Sequence, residues 1–141
     1  MTSSENAPCA AKHLNHVCIA VRDIEGTLRF YTELFGLGGA EIVEMEDQAV
    51  RAAMVDVGGS RLEFIQPTDP KGGVARFIER HGEGMHHICF EVDDLQGTLD
   101  RLGEADVELI DSAPRHGLSG MIAFLHPRAT RGVLIEMVDR D

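Results

Sequence analysis

Apolar side chains take alternate positions along two stretches of the chain, Val17, Ile19 and Val21 in the first and Ile88, Phe90 and Val92 in the second. A period of two predicts strands with one buried face. Each stretch runs into an aspartate, Asp23 or Asp94, at a helix N-cap position. Ile24, Leu28, Tyr31 and Phe35 then recur at helical spacing until the GLGG run at residues 36–39 stops the helix, and Leu95, Leu99 and Leu102 do the same before Gly103. Three short strand-like runs follow each helix: about 40–46, 50–57 and 60–66 in the first half, about 106–110, 120–126 and 132–138 in the second. Each half reads as βαβββ.

The halves are copies of one another. Residues 16–28 (HVCIAVRDIEGTL) set over residues 87–99 (HICFEVDDLQGTL) are identical at 7 of 13 positions without a gap. Between the halves, residues 67–73 are turn-rich and VARFIERHG at 74–82 predicts a short helix. The expected organisation is a flexible tail at residues 1–12 and a single domain at 13–141, with one module at about 13–67, a connector at about 68–84 and a second module at about 85–139. A module of roughly 50–70 residues buries too little surface to stand alone. The expected fold class is therefore α+β, two tandem βαβββ modules forming one curved eight-stranded sheet with helices outside.

Charge narrows the partners. With 13 basic and 24 acidic side chains the formal net charge is -11, so nucleic acid and anionic membrane surfaces are repelled. An anionic small molecule stays open, because a few arginines at one mouth can set a local field against the global sign. No segment approaches the length of a membrane span. Cys9, Cys18 and Cys89 are an odd set with no CxxC pair, which argues against a disulfide framework and a thiolate zinc site and favours a reducing cytoplasm.

The duplication also pairs two carboxylates. GSRLE ends at Glu63 and GVLIE at Glu136, each read as closing the last strand of its half; Glu63 follows His16 by 47 residues, and Glu136 follows His87 by 49. Strand parity sends Val17, Ile19 and Val21 toward the helix and His16 to the other face, and the same count turns His87, Glu63 and Glu136 inward. A histidine beginning a strand or a glutamate ending one is, singly, an ordinary edge residue. Recurrence in register across a duplication makes His16, Glu63, His87 and Glu136 a candidate metal site. Imidazole and carboxylate donors suit a borderline divalent ion, and two open positions would accept two substrate oxygens. Parity assigns His86 to packing or to support of the site, and Cys18 and Cys89, although inward, to packing.

The segments HVCIAVRD, FYTELFGL, LEFIQPTDP, GEGMHHICFEVDD, FLHP and GVLIEMV together resemble the methylmalonyl-CoA epimerase family of the vicinal-oxygen-chelate (glyoxalase/bleomycin resistance/dioxygenase) superfamily, over all but the first dozen residues. The resemblance implies His16, Glu63, His87 and Glu136 as metal ligands, with Co2+ favoured and Ni2+, Mn2+, Zn2+ or Fe2+ as alternatives. It also implies a CoA thioester substrate, inversion at carbon 2 through a metal-stabilised enolate, and a homodimer. Well-known members carry a glutamate, proposed as one base, where EDQAVRAAMV has Ala52; Glu136 is left as the one catalytic base carried over. Glu44 and Glu46 read as a solvated face. Gly117 and Gly120 could offer backbone donors to an acyl carboxylate, and Arg115 could contact a carboxylate or phosphate, or be an ordinary surface arginine.

Other readings share the pattern. A glyoxalase I-like lyase would use the same ligands on a glutathione hemithioacetal. A metal-free small-molecule-binding member of the superfamily would keep the fold and lose the ligands, all four of which are retained here. A ring-cleaving dioxygenase would need two histidines and one carboxylate on iron.

Overall fold

The computed structural model describes residues 6–140, with eight strands and three α-helices. Two compact units divide between His86 and His87, one spanning residues 16–86 and the other residues 87–141 with the segment before residue 16. No helix among the described residues is long and apolar enough to cross a membrane.

The unit of residues 16–86 contains β1 (His13–Ala20) from His16 onward, α1 (Ile24–Phe35), β2 (Val43–Met45), β3 (Val50–Val57), β4 (Ser60–Pro67) and α2 (Gly73–His81). Its strands lie in the order β2-β3-β4-β1. The first and last of its strands pair in parallel, which sets Cys18 opposite Glu63, while β2, β3 and β4 pair antiparallel. At the start of α1 the Asp23 carboxylate accepts the Gly26 N–H at 3.1 Å. Gly36 ends the helix in the left-handed region (φ 71), where its N–H donates to Thr32. One side of α1 packs through Ile24, Leu28 and Tyr31 against Val21, Ala53, Val55 and Phe64. Residues one step along each strand therefore face away from the helix.

The second unit repeats this with β5 (Gly84–Glu91) from His87 onward, α3 (Leu95–Glu104), β6 (Arg115–His116), β7 (Met121–Leu125) and β8 (Ile135–Asp139), in the order β5-β8-β7-β6. Parallel pairing of β5 with β8 sets Cys89 opposite Glu136. The α3 face is closed by Val92, Leu95, Leu99, Leu102, Ala123, Leu125 and Met137. On the opposite face Cys89, Ile122, Phe124 and Val138 cluster.

Several expectations need correction. The run at 106–110 makes no strand beyond a bridge from Leu109 to Leu125. The N–H groups of Ile110 and Asp111 both reach the Phe124 carbonyl, while the Phe124 N–H goes to the Asp111 carboxylate at 2.9 Å. A side chain thus replaces the next backbone rung, and the strand beside β7 forms later, at Arg115–His116. Glu63 and Glu136 lie inside β4 and β8 rather than closing them, because apolar burial continues past each, through Phe64 and Ile65 and through Met137 and Val138. Of the stretch read as a flexible tail, residues 1–5 fall outside the described residues. The remainder is tied down: the Pro8 carbonyl accepts from Arg101, Cys9 packs on the α3 core and the Lys12 N–H donates to Glu91.

Candidate functional site

In the unit of residues 16–86, the face turned away from α1 carries His16, Cys18, Ala52, Met54 and Glu63, as the strand registers require. His16 Nε2 lies 3.4 Å from Glu63 Oε1. Both residues are buried, at 3% and 8% exposure.

The second unit builds the same pair from equivalent positions. His87 Nε2 lies 3.0 Å from Glu136 Oε1, and each residue is 6% exposed. The His87 ring meets Phe124 edge to face, with centroids 5.2 Å apart. The guanidinium of Arg115 stands over the Phe124 ring, 5.4 Å from its centroid, and its Nε is 3.2 Å from Asp111.

A carboxylate taken out of water costs several kcal/mol unless a partner offsets the loss, roughly. Finding one beside an imidazole nitrogen twice, at duplicated positions, marks these four side chains off from ordinary edge residues. The donor set fits a divalent cation: each pair presents one imidazole nitrogen and one carboxylate oxygen within a few ångströms on a buried face. Cys18 and Cys89 are the cross-strand neighbours of the two glutamates and fully buried, so a thiol stands next to each pair as well.

Other residues singled out in the sequence fall as follows. Ala52 is buried on the face that holds His16 and Glu63, so this position points toward the pair and supplies no acid. Glu44 is exposed beside Arg51, whose guanidinium is held by Glu25 at 2.6 and 3.1 Å; Glu46 is exposed as well. The Gly117 N–H is committed to the Gly120 carbonyl at 2.8 Å, which removes it as a donor to substrate. Gly120 itself is needed for space, since a Cβ there would lie 2.5 Å from the Asp139 carbonyl oxygen. His86 packs edge-on to Phe77 at 4.8 Å. Sequence reasoning missed Phe124 and Asp111, the residues that hold Arg115 on this face; an apolar residue in a strand and an aspartate in a loop carry no signal of that task.

Comparison with known proteins shows the family. The family model described as the glyoxalase/bleomycin resistance protein/dioxygenase superfamily matches residues 15–124. The mitochondrial methylmalonyl-CoA epimerase of Dictyostelium discoideum is 32% identical over 90% of this chain and 78% of its own. The ethylmalonyl-CoA/methylmalonyl-CoA epimerase of Cereibacter sphaeroides is 33% identical over 88% and 95%. Among solved structures, a serine-to-threonine variant of Streptomyces coelicolor methylmalonyl-CoA epimerase in complex with 2-nitronate-propionyl-CoA superposes with a TM-score of 0.87 at 32% identity, over 92% of this chain and 94% of that one.

Proposed function

The chain belongs to the glyoxalase/bleomycin resistance protein/dioxygenase superfamily, and from that membership we propose that it epimerises (2R)- and (2S)-methylmalonyl-CoA at carbon 2. The observation that carries the reading is the buried imidazole and carboxylate pair present in both units, in a chain 32–33% identical to two acyl-CoA epimerases.

Carbon 2 of a malonyl thioester bears an acidic hydrogen, because the adjacent carbonyl delocalises the charge left behind as an enolate. Inversion needs a base to take that proton and a donor to return one to the opposite face. Glu136 is the residue we assign to proton transfer on one face, with a separate group on the opposite face making the other transfer, and Phe124 packs against the imidazole beside Glu136. Burial keeps bulk water from each pair, and Ala52 adds an apolar side chain on the face that holds His16 and Glu63. His16, Glu63, His87 and Glu136 would hold the ion, Co2+ in first place. When bound, it supplies Lewis-acid polarisation of the thioester and carboxylate oxygens. The exposed α1 residues Phe30 (55%), Leu34 (60%) and Phe35 (60%) make an apolar strip suited to a second copy of the chain, and the three free cysteines suit a reducing cytoplasm.

The test is epimerisation of one methylmalonyl-CoA enantiomer by cobalt-loaded protein in deuterium oxide, with methylglyoxal plus glutathione assayed in parallel. Inversion with deuterium entering carbon 2, abolished by chelator and restored by metal, is the expected result. Turnover of the hemithioacetal alone would keep the site and replace the substrate.

A further inference from the structure

The epimerase reading leaves one face of α2 unused. Gly73, Arg76, Phe77, Arg80 and His81 fall at helical spacing on a single face, and together with His86 they line an open groove of about 320 Å³. The opposite side of the helix is anchored by buried Ile78. Phe77 sits at the centre, its ring 4.8 Å from that of His86 and 5.0 Å from that of His81.

The charge of this groove runs against that of the molecule. Two guanidiniums and two imidazoles line it with no carboxylate among them, in a chain carrying 24 acidic and 13 basic residues. Arg76 and Arg80 stand one turn apart, an arrangement that costs a bare helix stability through like-charge repulsion. Glu83, just beyond the helix, is turned to Arg22, whose backbone N–H it accepts at 2.7 Å. Guanidiniums one turn apart match the spread oxygens of phosphate groups, and a half-buried aromatic ring between them offers a stacking surface for a purine.

We propose that this groove binds the nucleotide end of the acyl-CoA, with Arg76 and Arg80 on its phosphates and Phe77 against the adenine. The proposal rests on the epimerase reading for its ligand. Arg76 and Arg80 give the groove a local positive field for a polyanionic nucleotide that a net charge of -11 would otherwise repel.

Two measurements on the full chain test it. Calorimetric titration with adenosine 3′,5′-bisphosphate, which has no reacting carbon, should show binding that Arg76→Ala/Arg80→Ala weakens about tenfold or more and Arg76→Lys/Arg80→Lys largely restores. In turnover, the alanine variant should raise KM for methylmalonyl-CoA about tenfold with kcat unchanged, and leave the methylmalonyl thioester of pantetheine, which lacks the nucleotide, unaffected. Unchanged nucleotide affinity in the alanine variant would overturn the assignment. So would equal losses on the CoA and pantetheine thioesters. A wild-type chain that binds the bisphosphate through Arg76 and Arg80 yet epimerises nothing would uphold the groove while removing the proposed reaction.

Discussion

Glu63 and Glu136 are carboxylates that water scarcely reaches, each with an imidazole nitrogen as neighbour, at 3.4 and 3.0 Å. Replacing Glu63 or His87 by alanine should lower bound metal and activity together, measured as metal content after gel filtration; full metal retention would remove that residue from the ligand set. Glu136→Gln should cost about 10²-fold or more in kcat if it moves the proton. The thiols beside the pairs can be judged separately, since Cys18→Ser and Cys89→Ser should keep the metal. Ala49 shows a local cost elsewhere. It holds a left-handed conformation (φ 54) at the end of a 3-10 turn, where Ala49→Gly should stabilise the protein by about 0.5–1 kcal/mol, read from the urea midpoint. That His16 shares a buried face with Glu63, and His87 with Glu136, was legible because the repeat and strand parity act on single residues. Arg115 could not be resolved that way: what sets it on the Phe124 ring is Asp111, and the two contacts meet only in three dimensions.

Helices were the most legible elements. Asp23 and Asp94 accept Gly26 and Gly97 N–H groups at 3.1 and 3.2 Å, so the predicted starts are real caps, and α2 spans Gly73–His81 against an expectation of 74–82. The strands of the second half were less so, since a period of two at residues 106–110 says nothing about an aspartate side chain competing for the next rung. Asp111→Ala should destabilise the protein by about 1–2 kcal/mol by leaving the Phe124 N–H without that acceptor, measurable as a lower midpoint in denaturant. The segment before β1 is likewise more than a tail. Burial of Cys9 on the α3 core pushes its thiol above the ordinary range. The folded state therefore holds that proton more firmly, and the associated stability is lost as pH climbs past the unfolded thiol's value of 9.0. Alkylation of Cys9 at pH 8 should be slower in the native chain than in urea.

For the molecule as a whole, the repeat was the informative signal, because two βαβββ units with equivalent His and Glu positions follow from one sequence comparison. What it could not convey was how far burial extends along β4 and β8, which depends on neighbours in other strands. The duplication leaves a question that stoichiometry answers. The proposed set of four ligands predicts one ion per chain in elemental analysis, and two per chain would overturn it. Analytical ultracentrifugation should show a dimer that Phe30→Glu/Leu34→Glu disperses, if α1 is the contact.

Each unit closes by laying its first strand parallel to its last. His16 pairs in register with Arg61, and Ile88 with Ile135, separations of 45 and 47 residues (61 − 16 and 135 − 88). Bringing such distant partners together costs loop-closure entropy before any contact repays it, so these pairings belong to the late part of folding. His16 cannot stand beside Glu63, nor His87 beside Glu136, until that closure is made. The proposed ligand set therefore predicts that, in a refolding experiment, a cobalt absorption band emerges with the slowest phase rather than with the helices.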